Sequence, residues 1–406
     1  MQTSYGHILT YIEDDALQAS LQVFLIDLGF TITQSHSLEQ VQHLMKHNGP
    51  DLVISDLQRN PENGLLFLSE FSHIYPDVPI ITLTVPHQKQ VLKSLRLGAW
   101  DCIEQPLENL TQLEHSVCKA LERARLVNEN KLYRHKLEEM NSKLADSLRE
   151  LRYDQMAGKK VQAQMFPASD LLFSHYHFSN FVMPSLYLSG DMVDYFTISE
   201  KHIGFYIADV SGHGASSAFV TIMIKALFDQ LLLNYKQKRT KVILQPRKVF
   251  AIANDYLLHA NLGKYVTMIY AVLDTEMHRL RYSVAGHYPN PILIKAQKAE
   301  FLPGRAFAVG MVKQAEFKDL AIDFPMNSKL ALFSDGLMEV IAGQSLDDKE
   351  KILLSAIEHI DKENGRLSTQ ALKKTFNIKE AESRPDDITF LLMNRCEAIE
   401  GHKYNE

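Results

Sequence analysis

IGFYIADVSGHGASSAFVT, residues 203–221, runs from an apolar stretch into an aspartate, then two glycines around a histidine, then small and apolar residues. Ile203–Asp209 predicts a buried strand closing on Asp209, and Ala215–Leu233 predicts the helix after it. Gly212 and Gly214, flanking His213, allow the backbone to approach closely whatever Asp209 holds. Outward from this point, strand-like runs at Val266–Leu273, Leu280–Ala285, Pro291–Ile294, Lys329–Phe333 and Asp387–Met393 surround further helical segments at Arg247–Ala260 and, twice more, between Gly336 and Phe376. Many strands around a few long helices predict an α/β sandwich rather than another doubly wound sheet.

Four motifs in this half place aspartates at expected strand ends: SGDMVDYF (Asp191, Asp194), ADVSGHG (Asp209), FSDGLME (Asp335) and RPDDIT (Asp386, Asp387). Carboxylates at the ends of several central strands can hold two divalent cations, which activate a water and neutralise a phosphoryl oxygen. All-oxygen ligation without cysteine favours Mg²⁺ or Mn²⁺ over zinc. A lone Asp-Gly more often marks a turn; the order and context of all four make the set specific. Together they resemble the PPM (PP2C-like) phosphatases, in the bacterial SpoIIE/RsbU-type subgroup of sporulation and general-stress phosphatases, from about Gln164 to Cys396. The resemblance implies an α/β/β/α sandwich, with metal ligation by Asp191, Asp209, Asp335, Asp386 and the Val210 carbonyl, and with Asp209 and Asp335 as the catalytic pair. Asp194 and Asp387 fall behind these ligands as supporting carboxylates. AGHYPNP (Gly286, His287) fits the same subgroup, although a structural turn reads equally well, and His213 is read as structural rather than as a general acid.

Residues 7 to about 106 alternate apolar runs with amphipathic stretches. His7–Ile12, Leu52–Ser55, Ile80–Thr84 and Trp100–Ile103 read as strands, and Leu17–Leu28, Leu38–His47, Leu65–Ile74 and Lys89–Leu97 as helices. This order predicts a doubly wound, flavodoxin-like sheet with its site at the carboxyl ends of the strands. Glu13, Asp14 and Asp56 would converge there, and such a cluster needs a hard cation such as Mg²⁺ among its oxygens. Mg²⁺ beside a free carboxylate suits phosphoryl transfer onto that carboxylate, with Thr84 placed to hydrogen-bond the new group. The stretch resembles a two-component receiver domain, which implies Asp56 as phosphoacceptor, Glu13, Asp14 and Asp56 as the Mg²⁺ site, and Thr84 as the switch hydroxyl. In GAWDCIEQP, Gln105 stands where the family has its phosphate-binding lysine, and Cys102 where it has a rotating aromatic. A glutamine donates a hydrogen bond but neutralises no charge.

Between the two halves, Thr111 to about Met165 holds no proline and the single glycine Gly158. Leu137, Leu144 and Leu151 recur every seven residues with Leu148 and Asn141 in the alternate register, two heptads of a parallel coiled coil or the stripe of a helix lying on a domain. The expected divisions are 1–122 receiver, 123–165 helical linker, 166–396 phosphatase domain and 397–406 tail.

A net charge of −6 gives no basic face for nucleic acid or anionic membrane. Cys102, Cys118 and Cys396 are too few and scattered for a disulfide framework or a zinc site. The start, MQTSYGHILTYIEDDA, is not a signal peptide, and no stretch reads as the ~20 apolar residues of a membrane span, so a cytoplasmic protein is expected. Receiver, linker and PPM domain in this order resemble the RssB-type response regulators. The heptads imply a homodimer through the linker, and the likeness implies a histidine kinase or other phosphodonor and one of two outputs. Either the domain dephosphorylates a STAS-type anti-sigma antagonist, or it is an adaptor delivering the sigma factor σS to the ClpXP protease. The retained aspartates favour the phosphatase.

Overall fold

The computed structural model describes residues 5–57, 61–85, 88–107, 110–379 and 384–396. It divides into two compact units, Met1–Ser147 and Leu148–Glu406.

The first unit runs β1 (His7–Tyr11), α1 (Asp15–Asp27), β2 (Thr31–Gln34), α2 (Leu38–Asn48), β3 (Leu52–Asp56), α3 (Pro61–Ile74), β4 (Ile80–Thr84), α4 (Gln88–Arg96), β5 (Asp101–Glu104) and the start of α5 (Leu110–Ala163). All strand pairs are parallel, in the order β2-β1-β3-β4-β5. This is the doubly wound, flavodoxin-like order predicted, with every strand's carboxyl end at one edge. Within this unit the strand absent from the sequence reading is β2, because TITQ is a half-exposed edge strand without a continuous apolar run. Ile8, Leu52, Ile54, Ile81 and Leu83 pack against Leu21 and Leu25 of α1 and Leu113 and Val117 of α5.

Helix α5 is continuous for 54 residues, so the expected boundary at 122/123 falls inside one element. Its first turns bury Leu113, Val117 and Ala120, whereas Leu137, Leu144, Leu148 and Leu151 are each more than half exposed.

The second unit continues with β6 (Leu171–Phe173), β7 (Tyr176–Met183), β8 (Asp191–Ser199), β9 (His202–Val210), α6 (Ala215–Lys236), α7 (Pro246–Ala260), β10 (Val266–Asp274), β11 (Arg279–Ala285), β12 (Ile292–Lys295), β13 (Lys298–Phe301), β14 (Leu320–Asp323), β15 (Lys329–Phe333), α8 (Gly336–Val340), α9 (Leu346–Asn364), α10 (Thr369–Thr375) and β16 (Ile388–Arg395). The strands form two antiparallel sheets, β14-β11-β10-β9-β8 and β13-β12-β15-β16-β7-β6. Period-two alternation sorts the layers. On β9, Phe205 and Ile207 face the core between the sheets, and Tyr206, Ala208 and Val210 face α6 and α7. On β16, Leu391 and Met393 face the same inner core, and Phe390 and Leu392 face α8–α10. The result is the expected α/β/β/α sandwich.

Contrary to the sequence reading, α6 is by length and composition apolar enough to cross a membrane. In the fold Val220, Ile224, Leu227, Phe228 and Leu231, at helical spacing, spend that apolar face on the core over the first sheet.

Candidate functional site

Antiparallel pairing brings the four motifs of the second unit to one edge of the sandwich. Asp209, near the end of β9, stands directly opposite Asp191 on β8 and Thr267 on β10. Asp335 follows β15, and Asp386 and Asp387 lead into β16, its antiparallel neighbour. Here the sequence reading needs correction: only Asp209 and Asp335 close strands, whereas Asp191 opens β8 and Asp386–Asp387 precede β16. Because neighbouring strands run in opposite directions, one strand's start and the next strand's end share an edge.

The two sheets meet through Asp387. Its Oδ1 accepts from the Ser185 amide (2.6 Å) and hydroxyl (2.8 Å), and its Oδ2 from the Gly190 amide (2.6 Å) and the Ser189 hydroxyl (3.0 Å). The Ser189 hydroxyl oxygen in turn accepts from the Asp191 amide at 3.0 Å. Asp387 thus pins the loop that delivers Asp191. Gly336 is required on the other side, since a β-carbon there would lie 2.0 Å from the Asp387 carbonyl oxygen.

Burial and mutual repulsion govern the remaining acids. Asp191 is fully buried, its carboxyl raised well above the ordinary range by burial and then by Asp209 and Asp387, and its Oδ2 has no hydrogen-bond partner among the described residues. Burial, Asp335, Asp386 and Asp387 push Asp209 to about 7. Burial, Asp386 and Glu339 push Asp335 to about 6. Asp386 is raised mainly by burial and also by Asp387, with His213 pulling it down. The acids converge without closing: among the described residues, no three His, Cys, Asp or Glu side chains form a ready-made metal cage. The donor set nevertheless fits hard divalent cations, being all oxygen, self-repelling, and including the unpartnered Asp191 Oδ2.

Asp194 is not brought to this cluster. Three residues from Asp191 on a strand, it faces the helix layer, where its Oδ2 accepts from Lys225 Nζ at 2.7 Å. His287 lies behind the site, buried and neutral, its value lowered by burial to about 4. Its Nε2 donates to the Phe333 carbonyl at 2.9 Å, and its Nδ1 lies 3.1 Å from the Thr267 hydroxyl, itself 3.5 Å from Asp209 Oδ2. AGHYPNP is therefore more than a turn: its histidine braces β10, the neighbour of the strand that carries Asp209, against β15, which leads to Asp335.

Three residues near the site escaped sequence reasoning. Glu339, on α8 one turn beyond Asp335, was legible as a fifth acid at helical spacing. Gln162, in the last turn of α5, is 3% exposed and grips the backbone beside Asp191: its Nε2 donates to the Ser189 carbonyl (2.7 Å) and its Oε1 accepts from the Ser189 amide (2.9 Å). Lys264 lies against the loop after Asp209, its Nζ donating to the Ser211 carbonyl at 2.7 Å. For neither does the sequence carry a signal.

In the first unit, Glu13 and Asp14 follow β1, Asp56 closes β3, Thr84 closes β4 and Gln105 follows β5, all at the carboxyl edge. Asp14 also caps α1, its Oδ1 accepting from the amides of Ala16 (2.9 Å) and Leu17 (3.1 Å). Gln105 Nε2 reaches Asp56 Oδ1 at 3.4 Å, so the amide stands against the expected phosphoacceptor. The Thr84 hydroxyl donates to the Val85 carbonyl (3.1 Å), and Cys102, its thiol raised by burial, accepts from the Thr82 hydroxyl (3.0 Å).

Residues 9–117 match the family model of response regulator receiver domains, and residues 199–395 match that of stage II sporulation protein E (SpoIIE). The phosphoserine phosphatase RsbP of Bacillus subtilis (strain 168) is 30% identical over 212 residues, 51% of this chain and 49% of RsbP. The chain thus spans about half of that relative's length. The Regulator of RpoS of Escherichia coli (strain K12) is 22% identical over 292 residues, 70% of this chain and 83% of that protein. The SiaA-PP2C domain of Pseudomonas aeruginosa superposes with a TM-score of 0.49 at 14% identity, covering 61% of this chain and 98% of that one. The chain therefore joins a region that matches response regulator receiver domains to one that matches SpoIIE.

Proposed function

We propose that this protein is a response regulator whose output is metal-dependent hydrolysis of a phosphoserine or phosphothreonine on a partner protein. A phosphorylated STAS-type anti-sigma antagonist, in stress or stationary-phase sigma-factor control, is the substrate proposed. The observation that carries this is the convergence of Asp191, Asp209, Asp335 and Asp386 at one edge, where burial and the charge of neighbouring carboxylates, Asp387 among them, raise all four. A docking surface has no use for a cluster that repels itself. Those four carboxylates, with the Val210 carbonyl, would hold two Mn²⁺ or Mg²⁺ ions. Bound there, the ions would lower the pKa of a water to make it a nucleophile and neutralise a phosphoryl oxygen. The chain's own part is to place the acids: Asp387 fixes the Asp191 loop, and His287 braces β10 and β15.

Control would begin at Asp56, phosphorylated by a histidine kinase or another phosphodonor, with Glu13 and Asp14 completing an Mg²⁺ site. Gln105 would hydrogen-bond the phosphoryl group without neutralising it. Helix α5 supplies a physical connection, since it begins just after Gln105 and ends with Gln162 gripping the residue two before Asp191. Its exposed leucines would pair with a second copy in a parallel cytoplasmic homodimer.

The test is Mn²⁺-dependent hydrolysis of a generic phosphomonoester by the full chain and by Asp335→Ala. Turnover no greater than the variant's under several metals would sink the enzyme reading. The match over 83% of the Regulator of RpoS supports a second reading, an adaptor for σS. On that reading, adding the protein accelerates ClpXP degradation of σS in a reconstituted assay; an unchanged rate removes it.

A further inference from the structure

We propose that Lys264 is a positioning residue for the metal-binding edge: its ammonium ties down the Val210–Gly214 loop, and without that tie the domain takes up divalent cations weakly. This rests on the reading of Asp191, Asp209, Asp335 and Asp386 as the metal site.

Lys264 lies two residues before β10, the strand that faces Asp209 through Thr267. Its Nζ donates to the Ser211 carbonyl at 2.7 Å and to the Ser217 hydroxyl at 3.2 Å. Ser217, in the first turn of α6, donates onward to the Gly212 carbonyl at 2.9 Å. Tyr265 completes the hold, its amide donating to Ser211 Oγ (3.1 Å) and its carbonyl accepting from the Ser211 amide (2.9 Å). Ser211 is thereby fixed at its amide, its carbonyl and its hydroxyl, one residue after the Val210 carbonyl and two after Asp209. The loop wraps the ammonium so closely that a β-carbon on Gly212, whose φ is +78°, would come within 2.9 Å of Nζ.

A lysine near the surface normally keeps its ammonium in water, because burying the charge costs free energy that only good hydrogen bonds offset. Lys264 instead spends its donors on a carbonyl and a serine of one loop, and among the described residues it makes no ion pair with a carboxylate. Charge-assisted donors are about twice as strong as neutral ones, so a single ammonium suits the fixing of a glycine-bearing loop. What it fixes is the backbone on which Asp209 and the Val210 carbonyl are mounted. Asp209 already sits in a repulsive cluster, and a loosened loop lets it swing away from its neighbours, raising the ordering cost of every cation bound.

The experiment compares the full chain with Lys264→Met, Ser217→Ala and the double variant. Mn²⁺ uptake is read from the electron paramagnetic resonance of free Mn²⁺, and backbone order in metal-free protein from hydrogen exchange. Lys264→Met is expected to raise the half-saturating Mn²⁺ about 10-fold or more, the scale of one charge-assisted hydrogen bond. It should speed exchange within residues 209–217 and leave the other strands of the sandwich protected. Hydrolysis at saturating Mn²⁺ should stay within about 3-fold of wild type, as expected for a group that orders the site without touching the substrate. Ser217→Ala should move uptake the same way by less, and the double variant should do no worse than Lys264→Met, since both cut one network. A wild-type half-saturation in Lys264→Met overturns the assignment; where that variant does not fold, a wild-type value in Ser217→Ala does the same. Should the wild-type chain itself bind no Mn²⁺, the metal site falls and this inference with it. Mn²⁺ uptake without phosphoester turnover counts against the phosphatase alone, and the uptake ratio still decides the role of Lys264.

Discussion

Asp386 and Asp387 are adjacent, chemically identical and at the same edge, yet replacing each by asparagine should have different consequences. Asp387 is buried and accepts four hydrogen bonds, two from backbone amides at 2.6 Å. In Asp387→Asn one oxygen becomes an NH₂ group. Whichever way the amide flips, that group faces either the Ser185 or the Gly190 N–H, donor against donor. The serine hydroxyls can rotate to accept, but the backbone N–H cannot. One buried amide is left unpaired and the remaining bonds lose their charge, for a loss of about 3–5 kcal/mol on the scale of buried hydrogen bonds to charged groups. Asp386 is half-buried, and the bond it accepts from the Asp387 amide at 2.8 Å survives in Asp386→Asn because the amide oxygen still accepts. Removing its charge also relieves Asp209 and Asp335, so the metal-free fold should change by less than about 1 kcal/mol. Tryptophan fluorescence would report the wrong unit, because the one tryptophan, Trp100, lies in the receiver. Hydrogen exchange along β16 and β7, in excess chelator at increasing urea, reads the correct one. Equal protection in the two variants would refute the clamp assigned to Asp387.

Three further outcomes follow from the same geometry. His287, held near 4 when folded, refuses a proton that the unfolded chain accepts near 6.5, so its contribution is intact above about 6.5 and is lost as pH falls toward 4. At pH 5 that is about 2 kcal/mol; Asp209 and Asp335, with raised values, act in the opposite sense. The quantity to follow is therefore the difference between wild type and His287→Gln, which should shrink as pH drops from 7 to 5 and would argue against a buried neutral ring if it were flat. Gln162→Leu strips Ser189 of both backbone partners, and should raise exchange at residues 188–191 at least about 10-fold, as for a buried donor left unpaired; unchanged exchange there would disconnect α5 from the site. Leu144→Asp with Leu148→Asp should convert a dimer to monomer by light scattering, and a wild type that is monomeric in every phosphorylation state removes the coil.

Much of this architecture was legible because it rests on strong local patterns. The receiver strands β1, β3 and β4 are continuous apolar runs, and the α6 and α7 helices carry unbroken helical spacing. β2 was invisible because an exposed edge strand needs no apolar face. β8 was missed because its first residue is the candidate ligand Asp191, and an acid does not look like the start of a buried strand. Had SGDMVDYF been taken as a strand opening at Asp191, alternation alone would have sent Asp194 to the other face, toward Lys225.

The candidate acids could be found, whereas the residues that hold them could not, and the reason is physical. A carboxylate that serves a cation must be an aspartate or glutamate at a place where backbone opens, so chemistry writes it into the sequence. A group that positions such a carboxylate need only present a donor or acceptor to a main-chain atom, and main-chain atoms are the same at every residue. Gln162, 27 residues before the serine it grips, and Lys264, 53 residues after the serine it holds, are of this kind. Nothing in their own neighbourhoods marks them, because what selects them is the exposed amide or carbonyl of a distant loop. Asp387 belongs to both kinds at once: its chemistry made it visible, but only its four bonds separate it from Asp386. In a site built on paired acids, a hydrogen-bond count at each carboxylate separates the two roles. An acid saturated by the protein, as Asp387 is, holds structure; one buried with an oxygen that nothing among the described residues pairs, as in Asp191, is the one to test for a bound cation.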